Sequence, residues 1–357
     1  MSTAFAGALQ AEWNERKPSH RITPKRSGHV AFPSPHSSDV YIFGGYAEES
    51  PSNRYVTNDL WRWNSEQQDW ESVGTNGESP RARLVAAAAV LAGKSDRSQH
   101  FRAYVFGGWD PGTKQDGGDI LETIHRLDFG RDQDSGTTNP TWAHLDVVTP
   151  GGPTSRHVAV AIPERNQIVL HNHRCHDMVW IFDADRESFV QQTTSGPCPS
   201  ARGLHSATLS SKHEIVFFGG ASQDQTMSNE VFVLDTKSWT WRKLMDNEKK
   251  APSPRASPCL CRWSDDIVLV YGGAESSSLG LTPRSDVWAL DLRKETWNCL
   301  LPDDQPASTF CPPARNAATL VEMSSSENGK EYLLTGGWAP FRETWDDNFV
   351  LRVHEDN

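Results

Sequence analysis

Apolar positions along the chain fall into short runs that end on a glycine pair. "VYIFGG" closes at Gly45, "AYVFGG" at Gly108, "IVFFGG" at Gly220, "VLVYGG" at Gly273 and "YLLTGG" at Gly337. Their β-branched and aromatic content and their brevity predict buried strands rather than helices. A polar loop of variable length follows each pair, and then a second short run: "NDLWRWN", "ETIHRLD", "NEVFVLD", "SDVWALD" and "DNFVLRV". The pattern predicts an all-β chain made of copies of one unit.

Two further markers keep step with these runs. A tryptophan follows the second strand in four units, at Trp70, Trp142, Trp241 and Trp297, the second being delayed by the insertion "GRDQDSGTTNPT". An arginine then opens the next unit, at Arg26, Arg81, Arg202, Arg255 and Arg315. One unit lacks the glycine pair. In "IVLHNHRCHDMVWIFD", residues 168–183, set beside the unit that begins at Ile215, His171 and Asn172 are expected to stand for the glycine pair and Phe189 for the tryptophan. The last unit ends at "NFVLRVHEDN" without a tryptophan strand, while Trp13 stands the usual distance before Arg26. Residues 9–13 are therefore expected to supply the outermost strand of the last unit, which removes an open sheet edge.

The glycine pair, the tryptophan and the arginine resemble kelch repeats, and the resemblance covers essentially the whole chain. It implies a six-bladed kelch β-propeller of four-stranded antiparallel blades. Residues 1–357 then form one domain, with blades near 26–75, 81–147, 154–194, 202–246, 255–301 and 315–353 and closing strand 9–13. The resemblance further implies that the loops before the innermost strands and after the glycine pairs open on one face. That face would carry a ring of Arg26, Arg81, Arg202, Arg255 and Arg315, with Thr154 at the third position and Arg156 beside it. A second ring would hold Tyr46, Trp109, His173, Ala221, Ala274 and Trp338, so that Trp338, Tyr46 and Trp109 form an aromatic arc on neighbouring blades. Guanidinium forks beside aromatic faces suit carboxylates, acidic peptides or ring-shaped ligands. The bland alternative is that most of these arginines hydrogen-bond loop carbonyls.

Charge narrows the partners. A formal net charge of −11 and a pI near 5.6 argue against a general nucleic-acid or anionic-membrane surface. No apolar run approaches the roughly 20 residues that span a bilayer, and the first residues do not read as a signal peptide. The six cysteines show no C-x-x-C pair and are expected to be reduced thiols in a cytoplasmic protein.

The degenerate unit holds the candidate chemistry. His173 and His176 follow the third blade's strand, His157 and His205 lie three positions beyond Thr154 and Arg202, and His29 stands likewise after Arg26. Imidazoles with a carboxylate such as Asp177 form zinc or iron sites, so His157, His173 and His176 are the candidate metal ligands. No cofactor is required by this reading. No nucleophile elbow, phosphate loop or dinucleotide fingerprint is present. Among kelch enzymes, the plant specifier proteins use a Glu-x-x-x-Asp-x-x-x-His spacing that this sequence lacks, whereas sialic-acid epimerases work from a metal-free Arg/His pocket. The leading reading is a binding module for a protein, peptide or small anionic ligand, with no nucleic-acid or membrane role. The alternative is an isomerase or lyase using His173 and His176 as catalytic groups with ring arginines.

Overall fold

The computed structural model describes residues 9–18, 23–50, 52–93, 100–112, 117–130, 139–244, 250–278, 280–303, 310–326, 329–340 and 342–356. Six four-stranded antiparallel blades follow one another along the chain, and Asn76–Gly77 adds a short parallel strand at the outer edge of the second. Blade three is the plainest: Val158–Ile162, Gln167–His171, Met178–Asp183 and Ser188–Thr193, each paired with the next. Blade four repeats it with Ser206–Leu209, Glu214–Phe218, Val231–Asp235 and Thr240–Lys243. Blade one runs Val30–Pro33, Val40–Ser50, Asn53–Asn64 and Asp69–Ser72, and blade two Ala87–Ala92, Phe101–Asp110, Asp119–Phe129 and Thr141–Val148. Blade five comprises Cys259–Arg262, Ile267–Tyr271, Val287–Asp291 and Thr296–Leu301.

Blade six closes the molecule. Thr319–Ser326, Gly329–Thr335 and Asn348–Glu355 come from the end of the chain, and Leu9–Arg16 adds the fourth strand, in register from Leu9 opposite Glu355 to Arg16 opposite Asn348. The closing strand is longer than the expected 9–13. Trp13 anchors it, its indole edge-on to Tyr271 at 5.1 Å and Phe349 at 6.3 Å.

The first strand of each blade touches the first strands of both neighbours in an unbroken cycle, so these strands surround the axis. Between each pair of neighbouring blades lies one apolar cluster. The repeat tryptophans feed them: Trp70, Trp142 and Trp241 are buried, and Trp241 donates Nε1 to Thr194 of the preceding blade at 3.0 Å.

The glycine pairs are required by close approach. Gly107 has φ +54°, and a Cβ there would lie 2.3 Å from the Thr154 carbonyl oxygen, inside any tolerable contact. The neighbouring Gly108 N–H donates to that same oxygen at 2.9 Å, and the pairs at Gly45, Gly220, Gly273 and Gly337 bond the Arg83, Arg255, Arg315 and Arg26 carbonyls in the same way. Each pair thus staples its blade to the next. In blade three the register keeps Ile168 level with Ile215 and places the glycine positions one residue later than expected. Val158 pairs His171 as Ser206 pairs Phe218, so His171 is the last strand residue and Asn172 and His173 occupy the glycine positions. There the turn closes on itself, Cys175 N–H donating to the Asn172 carbonyl at 3.0 Å. All six cysteines are free.

Candidate functional site

The ring arginines are built into the wall of the propeller. Arg26, Arg202, Arg255 and Arg315 are 0%, 5%, 1% and 0% exposed. Each donates Nε to the carbonyl two residues before it and Nη1 to the first glycine of its blade's pair: Arg255, for example, to Ser253 at 3.0 Å and Gly272 at 2.9 Å. A carboxylate from the blade's third strand or the loop before it completes the clamp, with Asp59 on Arg26, Glu230 on Arg202, Asp286 on Arg255 and Asp347 on Arg315. Burial pushes the Glu230 pKa up, but hydrogen bonds from Lys243 and Arg202 outweigh it and hold the carboxyl at about 2.

In blade two the clamp belongs to Arg83, not to Arg81. Arg83 is buried, donates Nε to the Arg81 carbonyl at 2.9 Å and Nη1 to Gly107 at 2.8 Å, and finds the Thr123 hydroxyl at 3.2 Å where the other blades have an acid. Arg81 lies outside the ring, paired with Asp110 and Asp119.

Two residues after each ring position comes a residue with left-handed backbone: Gly28, Val85, Arg156, Leu204, Ser257 and Ala317, with φ between +46° and +62°. Their peptide groups join head to tail. Val85 N–H donates to Gly28 O at 2.7 Å, Arg156 to Val85 at 2.9 Å, Leu204 to Arg156 at 2.9 Å, Ser257 to Leu204 at 2.8 Å, Ala317 to Ser257 at 3.4 Å and Gly28 to Ala317 at 2.9 Å. One hydrogen bond per blade closes a cycle around the axis. All six residues form the floor of a cavity of about 400 Å³.

The walls of this cavity carry the expected aromatic arc, Tyr46, Trp109 and Trp338, together with Glu48, Arg54, Leu281, Arg342 and Glu343. Arg156 is the charged member of the floor. Its side chain is exposed and lies over the Trp109 ring at 5.9 Å, with no side-chain ion pair or hydrogen bond among the described residues. Beside it a second groove of about 470 Å³ is lined by Thr154, Arg156, His173, Arg174, Ala221, Gln223 and Gln225. Leu204 and Arg156 border both.

The histidines separate by depth. His171 Nδ1 stands 3.0 Å from His205 Nε2 inside the blade interface, His29 Nε2 is 2.9 Å from the Thr319 hydroxyl, and His157 is buried with neither ring nitrogen hydrogen-bonded. His173 is half-buried in the second groove, where burial first, then Arg174 and His176, push its pKa down. His176 is exposed. The expected ligands His157, His173 and His176 are therefore split between interior and surface, and among the described residues no group of three or more His, Cys, Asp and Glu side chains is disposed to hold a metal ion.

Sequence reasoning missed Arg83, the floor cycle and Arg342. The constant two-residue offset from the ring position was the available signal for the floor.

A closed six-bladed propeller with glycine-pair staples, buried arginine clamps and a one-sided axial cavity defines a kelch-type β-propeller. The chain belongs to the kelch-repeat family: the profile described as KLHDC2/KLHL20/DRC7 Kelch-repeats domain matches residues 8–213 and again 169–356. It is 24% identical over 314 residues to Kelch domain-containing protein 1 of Mus musculus, covering 80% of this chain and 71% of that one. It is 25% identical to Kelch domain-containing protein 2 of Bos taurus over 76% of this chain and 68% of that one. A match to Acyl-CoA-binding domain-containing protein 5 of Arabidopsis thaliana, 27% identical, takes in 64% of this chain but only 33% of that much longer protein. Among solved structures, YjhT superposes with a TM-score of 0.63 at 13% identity over 93% of this chain and 98% of its own, a likeness of fold. Among the described residues no helix is long and apolar enough to cross a membrane.

Proposed function

We propose that the protein is a binding module that recognises a segment of a protein partner in the axial cavity. Kelch-repeat proteins commonly bind protein partners. The observation that carries the reading is Arg156: while the clamp arginines are spent on carbonyls and carboxylates, this guanidinium sits exposed on the cavity floor, over the Trp109 ring and in the cavity that Tyr46 and Trp338 also line. An uncommitted fork beside aromatic faces favours an acidic, partly apolar ligand. The rim fits a macromolecule as well, since exposed Tyr55, Ile120 and Leu281 crown the hairpins of blades one, two and five. The test is selection of a short randomised peptide library on the purified protein, in parallel with Arg156→Asn, which removes the charge but tolerates the left-handed backbone. Enriched acidic peptides that the variant fails to hold support the reading; no enrichment, or equal enrichment on both, overturns it.

A second reading, an isomerase or lyase for a small anionic substrate, is favoured by one observation. His173 lines the groove that Arg156 borders, and its lowered pKa leaves it neutral near pH 7, as a general base requires. Turnover of a screened hydroxy- or keto-acid that His173→Ala abolishes is its test.

A further inference from the structure

Among the described residues the charges lining the axial cavity do not balance locally, although the whole chain is acidic. Of the carboxylates on its wall, Glu48 is held by Arg54 at 3.1 Å and by the Thr344 hydroxyl at 2.6 Å, and Glu343 by Lys25 at 2.8 Å. Among the described residues two guanidiniums of the lining are left over. Besides Arg156, the exposed Arg342 lines the cavity with no side-chain ion pair or hydrogen bond among the described residues. Arg156 belongs to blade three and Arg342 to the hairpin Trp338–Ala339/Glu343–Thr344 of blade six. In a ring of six blades these are opposite one another. The aromatic arc of blades six, one and two flanks the line between them on one side, with Leu204 of blade four and Leu281 of blade five on the other.

The rim is uneven. Blades one, two, five and six carry strand extensions above the cavity, among them Ala274–Ser277/Gly280–Pro283 in blade five. In blade three only residues 172–177 link His171 to Met178. On that low side the cavity meets the second groove across Arg156 and Leu204. A ligand can therefore lie across the cavity and leave sideways over polar Gln223 and Gln225, which suits a chain longer than the cavity itself.

We propose that the occupant is an extended peptide segment with two acidic side chains on either side of an apolar one, the first read by Arg342 and the second by Arg156, its remainder leaving over blades three and four. The inference rests on the binding-module reading and adds the second anchor and the direction of exit. Charge-assisted hydrogen bonds at both ends fix register, and the apolar centre meets Tyr46, Trp109 and Trp338.

The test uses the peptides selected above and their single-acid derivatives, titrated against the wild type, Arg342→Gln, Arg156→Asn and the double variant. Both side chains are exposed and make no ion pair or hydrogen bond among the described residues, and asparagine keeps the left-handed backbone and floor-cycle bonds of position 156, so the variants keep the fold. Two-acid peptides should lose roughly ten-fold in affinity with each single variant and about a hundred-fold with the double. Deleting one acid should abolish sensitivity to one arginine only, which identifies the pairing. Peptides that depend on Arg156 but are indifferent to Arg342→Gln overturn this inference and leave the binding-module reading standing. Failure of any peptide to bind overturns both.

Discussion

Arg255 grips both carboxylate oxygens of Asp286, Nη1 to Oδ1 at 2.6 Å and Nη2 to Oδ2 at 2.9 Å, with both residues almost fully buried. The same guanidinium caps the Gly272 carbonyl, so one side chain ties together the loop before the blade, the glycine pair and the third strand. Removing it leaves an anion without a counter-charge in the interior. Arg255→Met should cost about 3–5 kcal/mol in chemical denaturation, and Asp286→Leu added to it should recover a large part of that. Arg83→Met should cost less, because Thr123 and not a carboxylate is left behind. Equal losses at the two positions would show that the carbonyl caps, and not the ion pair, dominate the clamp.

Acid should unfold the protein through its interior histidines. Burial lowers His171 to about 3, helped by Arg202 and His176; it lowers His29 to about 3, helped by Arg26, and His157 to about 4, helped by His173. These values lie below the ordinary 6.5, so the unfolded chain takes up protons that the folded one refuses. Their stabilising contribution is fully present above about pH 6.5 and falls as the pH drops toward 4 and 3, by about 1.4 kcal/mol per pH unit for each histidine. His157→Phe should remove one such increment from the slope between pH 6 and 4 in urea titrations. At neutral pH it should change stability by less than about 1.5 kcal/mol, because the buried ring nitrogens it removes have no partner. An unchanged acid slope would contradict the assignment.

What the sequence displayed was side-chain periodicity, and wherever the architecture depends on that, it was legible. The glycine pairs, the repeat tryptophans and the closing strand at Trp13 led to six blades and to the aromatic arc of Tyr46, Trp109 and Trp338 on the cavity wall. Failures came where side-chain identity does not encode position. "RAR" offers two arginines two residues apart, and only the buried bonds to Gly107 and Arg81 O distinguish Arg83 from Arg81. His171 is the fourth residue from Ile168 as Phe218 is from Ile215, so counting along the two strands already gives Asn172 and His173 the glycine positions, in agreement with the pairing of His171 with Val158. The floor positions are filled by Gly, Val, Arg, Leu, Ser and Ala, six residue types united by a backbone conformation that no side chain announces. Arg342 stands in a loop whose chemistry depends on which neighbours leave it unpaired.

The floor cycle makes its own prediction through Val85. A β-branched residue at φ +46° is strained, and Val85 is held there because its N–H and carbonyl both belong to the cycle, bonding Gly28 at 2.7 Å and Arg156 at 2.9 Å. Its side chain is only half-buried on the cavity floor, so replacing it forfeits little packing. Val85→Asn supplies a residue that accepts the left-handed region and should raise stability by about 1 kcal/mol. Val85→Pro cannot adopt positive φ and has no N–H to give, so it breaks the cycle at one link and should lower stability by about 3 kcal/mol or more. Amide exchange at Leu204 and Ser257 reads the consequence remotely. Faster exchange at those two positions in the proline variant means that the six bonds act as one cooperative unit; unchanged exchange means that each blade holds its own link.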